Sequence, residues 1–228
     1  MDINYLFIAV IVLFLYMIIR GYTKGFLRIA VTFLGMIVIL MAVKRITPYV
    51  SEYIINNTGA YTSVKEKITE RFEQANSQYD NTIQTNQELT INSYDLPDLL
   101  KNKLIINNTK EMYKILVVEL FEEYVSAYLA KTAVKAMAFV ILFVVFIVAF
   151  KILLSVVDLI SRIPIIKGIN KTAGALLGLI ESLLITWVFF IIVVMFMGNE
   201  SGYSLIAMIS ESKFLSFLFN SNILMQAF

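Results

Sequence analysis

Two ionisable residues lie where an apolar helix would cross a bilayer. Glu181 sits about two turns into the apolar run from Thr172 to Met197. Arg28 sits one turn inside the run from Phe26 to Val43. A charge at the bilayer centre costs about 2.5–3.5 kcal/mol on insertion scales, and less toward the edge. Such a residue needs an opposite charge, a water-filled cavity or a route to the interface. Depth and opposite sign make Arg28 and Glu181 a candidate intramembrane polar site, a track or gate. The plainer reading is that Glu181 snorkels or takes up a proton. Two further patterns concern packing. Gly21-xxx-Gly25 and Gly174-xxx-Gly178 start two apolar runs, and small-xxx-small spacing lets helix backbones approach closely. A dimer interface is one use of it. Packing of spans within one chain is the commoner use and the one expected here.

Little other chemistry is available. The chain has no Cys and no His. Disulfides, thiolate catalysis and thiolate metal sites are excluded, and the usual general base near neutral pH is missing. Glu119, Glu122 and Glu123 form an acidic cluster that reads as a solvated helix face, since metal sites need converging ligands. No phosphate loop, nucleophile elbow or paired-carboxylate arrangement appears. A net charge of +2 gives no argument for nucleic acid. The expectation is a protein that is not an enzyme, with no catalytic residues, no cofactor and no metal.

The elements that position these residues follow from hydropathy. Of 228 residues 59% are hydrophobic and 16% charged, and mean hydropathy is +0.77. Soluble domains have roughly 45–50% apolar and 25% charged residues. So much apolar surface needs lipid as its solvent. Four runs are long enough to span: Ile3–Ile19, Phe26–Val43, Ala133–Val157 and Thr172–Met197. The fold class is all-α, a polytopic membrane protein with its spans paired as two antiparallel hairpins.

Residues 1–45 form the first hairpin, closed by Lys44, Arg45 and Pro48. Residues 46–131 form a polar helical domain on the outer face. Within it, Ala60–Tyr79 reads as an amphipathic helix, Asn76–Tyr94 as a loop, and Asp95-Leu96-Pro97-Asp98 as a helix start. Thr109–Tyr128 carries an apolar stripe, and nothing separates it from the third span, so one long helix should enter the membrane. Residues 132–198 form the second hairpin, and the tail, 199–228, an interfacial amphipathic helix.

Orientation comes from Lys and Arg near the span ends. Arg20, Lys24 and Arg28 mark the first turn; Lys151, Arg162, Lys167 and Lys171 mark the second. Both turns belong in the cytoplasm. Both termini and residues 46–131 are then extracytoplasmic, in a multi-pass protein of the bacterial plasma (inner) membrane.

The two turns also carry a likeness. Arg20-Gly21-x-x-x-Gly25-Phe26 resembles a hallmark of the bacterial colicin V production (CvpA) family. Arg162-Ile163-Pro164-Ile165-Ile166-Lys167-Gly168-Ile169-Asn170-Lys171-x-x-Gly174-x-x-x-Gly178 resembles that family's second hallmark. The likeness covers about residues 3–45 and 132–197. Lys171 stands where the family often has Arg, and Glu181 where a basic or small residue is more usual. The resemblance implies a membrane protein tied to toxin or bacteriocin production or export, or to envelope homeostasis. Its expected role is a non-enzymatic assembly component. Expected partners are the lipid bilayer and either a homo-oligomer or other membrane proteins. The alternative is an oligomeric membrane channel or small transporter, because four spans with one buried acid make a thin path for a monomer.

Overall fold

Helix α1 (Tyr5–Lys24) starts at Asn4, whose side chain accepts from the Phe7 N–H and so satisfies a free donor of the first turn. It ends at Gly25, where φ is +79°, a conformation open to glycine. Helix α2 (Phe26–Asn57) begins at the next residue. This is a computed structural model, and it describes residues 4–73, 84–156 and 169–227. Among the described residues all regular structure is helical.

The expected stop at Lys44, Arg45 and Pro48 is not observed: α2 runs through Pro48 to Asn57. Proline in a helix interior removes one backbone bond and costs about 3 kcal/mol. Burial opposes that cost. Val43, Thr47 and Ser51 are all buried, and α2 packs along α7. The Thr47 hydroxyl donates to the Val43 carbonyl and the Ser51 hydroxyl to the Pro48 carbonyl, so neither is buried without a partner.

Next come α3 (Ala60–Glu73), α4 (Gln84–Ser93), α5 (Asp98–Ile106) and α6 (Lys110–Leu116). The amphipathic reading of α3 holds: Ile68 and Phe72 are buried, one turn apart. The Asn76–Tyr94 segment is not all loop, since α4 occupies its second half. Thr90 and Ser93 there bond back to the Asn86 and Thr90 carbonyls, so polar side chains satisfy themselves on the helix. Residues 76–83 of that segment lie outside the description. Pro97 immediately precedes α5, as expected.

The stripe from Thr109 to Tyr128 is broken. Val117 takes a left-handed conformation (φ 55°, ψ 54°) between α6 and α7. Helix α7 (Phe121–Val156) is then the single long helix that joins the polar segment to the membrane. At 36 residues it is roughly 54 Å long at 1.5 Å per residue, longer than a ~30 Å hydrocarbon core. The expected domain boundaries at 45/46 and 131/132 therefore both fall inside continuous helices.

Helix α8 (Ile169–Met195) completes, among the described residues, a set of four helices long and apolar enough to cross a membrane. Val12, Leu34, Val38, Val144 and Val148 point outward from these spans, where lipid would solvate them. In the first expected hairpin the two helices pack little on each other, whereas α7 and α8 of the second are in contact. Helix α1 packs mainly on α8, α2 packs mainly on α7, and α1 makes little contact with α2.

The tail is not one amphipathic helix but two, α9 (Glu200–Glu211) and α10 (Lys213–Asn220), followed by a 3-10 turn at Met225–Ala227. Ser212 separates them, and its side chain caps α10. Their apolar faces cover protein. Ile206, Ile209, Leu215 and Phe219 are fully buried, and Phe219 meets Phe190 of α8 at 5.4 Å between ring centres. The Trp187 indole N–H donates to the Leu218 carbonyl. Asn222 donates to the Trp187 carbonyl and accepts from the Leu224 and Met225 N–H groups. Asn220 joins the tail to α5, accepting from the Leu99 N–H and donating to Asp98. The tail thus ties the C-terminal half of α8 to the polar segment.

Candidate functional site

The α1–α8 contact is built from glycine. A Cβ on Gly21 would collide with the Gly174 carbonyl oxygen, and a Cβ on Gly174 with that of Gly21. A Cβ on Gly178 would collide with the Met17 carbonyl oxygen. At Gly25 the neighbour is the Asn170 side chain. Four residues back along α1 match four forward along α8, so the helices are antiparallel. Backbones this close gain dispersion and weak polar contacts that larger side chains would prevent. The two small-xxx-small patterns face each other inside one chain, which is the expected plainer use.

Beside this crossing lies an ion pair. Arg20 Nη1 meets Glu181 Oε2 at 2.9 Å, with the side chains 24% and 10% exposed. Along the axes the two residues are offset by about six positions, roughly 9 Å. The Cα–Cβ bond of a helical residue tilts toward the helix N-terminus. On antiparallel helices these two side chains tilt toward each other, and that closes the gap. Nearby polar groups on α8 are satisfied on their own helix: the Ser182 hydroxyl bonds the Leu179 carbonyl and the Thr186 hydroxyl the Ser182 carbonyl. At the end of the crossing the Lys171 ammonium lies over the Tyr22 ring, 5.5 Å from its centre.

Seven of the residues singled out in the sequence come together here: Arg20, Gly21, Gly25, Asn170, Gly174, Gly178 and Glu181. Phe26 follows the turn and is partly exposed. Pro164 and Gly168 lie outside the described residues, as does the side chain of Arg28. The described partner of Glu181 is Arg20. Arg20 read as part of a polar turn, yet α1 continues to Lys24 and makes it a helical residue. Setting the two glycine patterns face to face would have placed Arg20 near Glu181. Among the described residues no three Asp or Glu side chains converge as metal ligands.

Residues 112–222 match the family model of the colicin V production protein. This stretch, just under half of the chain, is of the colicin V production family. The matched stretch runs from α6 to just past α10 and takes in Asn170, Gly174, Gly178 and Glu181. It stops short of α1, so Arg20, Gly21 and Gly25 enter through their packing on the matched helix. No curated protein and no solved structure matches the chain. The chain is a multi-pass membrane protein, and its glycine crossing joins the matched part to the remainder.

Proposed function

We propose that this chain is a member of the colicin V production family and a non-enzymatic assembly component of the bacterial plasma membrane. It acts in toxin or bacteriocin production or export, or in envelope homeostasis. Its two basic turns face the cytoplasm, and its termini and polar helical body face outward. Its partners are other membrane proteins or further copies of itself.

One observation carries the scaffold reading. Glu181, the acid buried in a span, is matched by Arg20 of the same chain, at a helix crossing too tight for side chains. An acid spent on holding two helices together supports a rigid framework better than a permeation path. Mass determination in detergent, conductance recording in reconstituted bilayers and crosslinking in cells test this together. The expected result is a non-conducting protein that captures a specific membrane partner through the outer body or the basic turns. Steady unitary conductance from a symmetric oligomer would overturn it in favour of a channel. For orientation, a reporter active only in the cytoplasm should stay silent when fused at Phe228, and activity would reverse the topology.

A further inference from the structure

On the membrane face that carries α3 to α6, two clefts share a wall. Lys131 and Lys135, one turn apart on α7, line both. The smaller cleft, about 160 Å³, is completed by Lys103 of α5 with Asn107, Tyr128 and Thr132. The larger, about 630 Å³, opens between α2 and the α6–α7 junction, with Ser51 and Tyr61 on one side and Ile115 and Val117 on the other. Ligand sites commonly measure ~300–1,000 Å³.

Three features point to what fits. The first is charge. Three lysines converge, and neither Lys131 nor Lys135 forms an ion pair with a carboxylate among the described residues. Glu52 is the acid that lines the larger cleft, and it is exposed. Lys103 donates to the Gln226 carbonyl at 3.1 Å. Burial, and then the charge of Lys135, hold the Lys103 amine below its ordinary value. Lysines that only served to reach a membrane surface would point outward into the head groups. Lys131 and Lys135 are instead half-buried against the clefts.

The second feature is depth. Lys135 immediately precedes the uninterrupted apolar stretch 136–150 of α7, so the clefts open at the edge of the hydrocarbon. The third is the lip. Ile115 and Val117 stand 60% and 87% exposed beside the lysines. Val117 does so in a left-handed conformation (φ 55°) that a β-branched residue rarely adopts. Strain of this kind concentrates at ligand clamps and switch regions.

We propose that Lys103, Lys131 and Lys135 bind the phosphate of an anionic amphiphile at the membrane surface, with its apolar part against the Ile115–Val117 lip. The site is separate from the α1–α8 crossing and does not depend on the toxin or envelope role.

Native mass spectrometry of the full chain in detergent tests this, with phosphatidylglycerol and phosphatidylcholine added in turn and inorganic phosphate in a parallel titration. Phosphatidylglycerol should remain bound where phosphatidylcholine does not. The Lys131→Gln/Lys135→Gln variant should weaken retention about tenfold or more. Lys110→Gln/Lys114→Gln removes equal charge from the exposed face of α6 and should leave retention unchanged. If the glutamine pair fails to fold, Lys131→Arg/Lys135→Arg keeps the charge and should still retain the lipid. Binding of inorganic phosphate with no retention of phosphatidylglycerol would overturn the amphiphile as the occupant. Equal retention of both lipids, equal retention by the glutamine variant, or no binding of either probe would overturn the proposal.

Discussion

At the residue scale the informative side chain is Glu181. Hydropathy alone marks it as an acid inside a span, and its cost there demands a partner. Arg20 was not legible as a partner from depth and sign, because depth does not say which helix faces which. Arg20 reaches Glu181 because antiparallel helices aim their Cα–Cβ bonds toward each other across the offset. Removing one member of a buried pair leaves an uncompensated charge, a loss of about 3–5 kcal/mol. Arg20→Glu and Glu181→Arg should each lower the thermal midpoint of the detergent-purified protein and its membrane yield. The double exchange Arg20→Glu/Glu181→Arg should recover most of both. Additive losses in the double variant would mean that the two residues do not act as a pair.

At the element scale the spans were legible, and the main partner of α1 was not. Four apolar runs match four helices because a bilayer crossing requires a long apolar segment. The short turn at Gly25 suggested that α1 pairs with α2. It constrains only the ends of the two helices, and glycine spacing decides where backbones meet. Gly21, Gly174 and Gly178 give α1 and α8 a closer approach than α1 finds on α2. One expected break is absent and one unexpected break is present, each for a local reason. Pro48 sits in a helix whose neighbouring turns are buried, and Val117 turns the chain without Gly or Pro to signal it. Gly174→Leu should separate α1 from α8 and cost several kcal/mol, since the obstruction is backbone and cannot move aside. Gly59→Ala, which meets nothing, should fall within about 0.5 kcal/mol of the parent. Thermal unfolding of the two variants side by side checks the contrast; equal midpoints would contradict it.

At the scale of the whole molecule the tail and the crossing join parts that are distant in sequence. The tail looked like a lone interfacial helix because its apolar face is real, but that face is spent on α8. Asn222, fully buried with three bonds, fastens its end. Asn222→Ala should strand the Leu224 and Met225 N–H groups, at about 1–3 kcal/mol for each buried group left unsatisfied. Proteolysis should then trim the C-terminal segment first, and a tail as resistant as the parent's would contradict its docking role. The central claim is that the glycine patterns of α1 and α8 meet within one chain. The chain has no cysteine of its own, so introduced thiols report without background. Tyr22→Cys and Lys171→Cys occupy neighbouring sites at the end of the crossing. Treating membranes that hold both substitutions in one chain with a short bifunctional maleimide should yield a crosslinked monomer. Single variants expressed together should yield no dimer. A covalent dimer from the mixed single variants, with no product from the double variant, would place the crossing between chains and contradict the account.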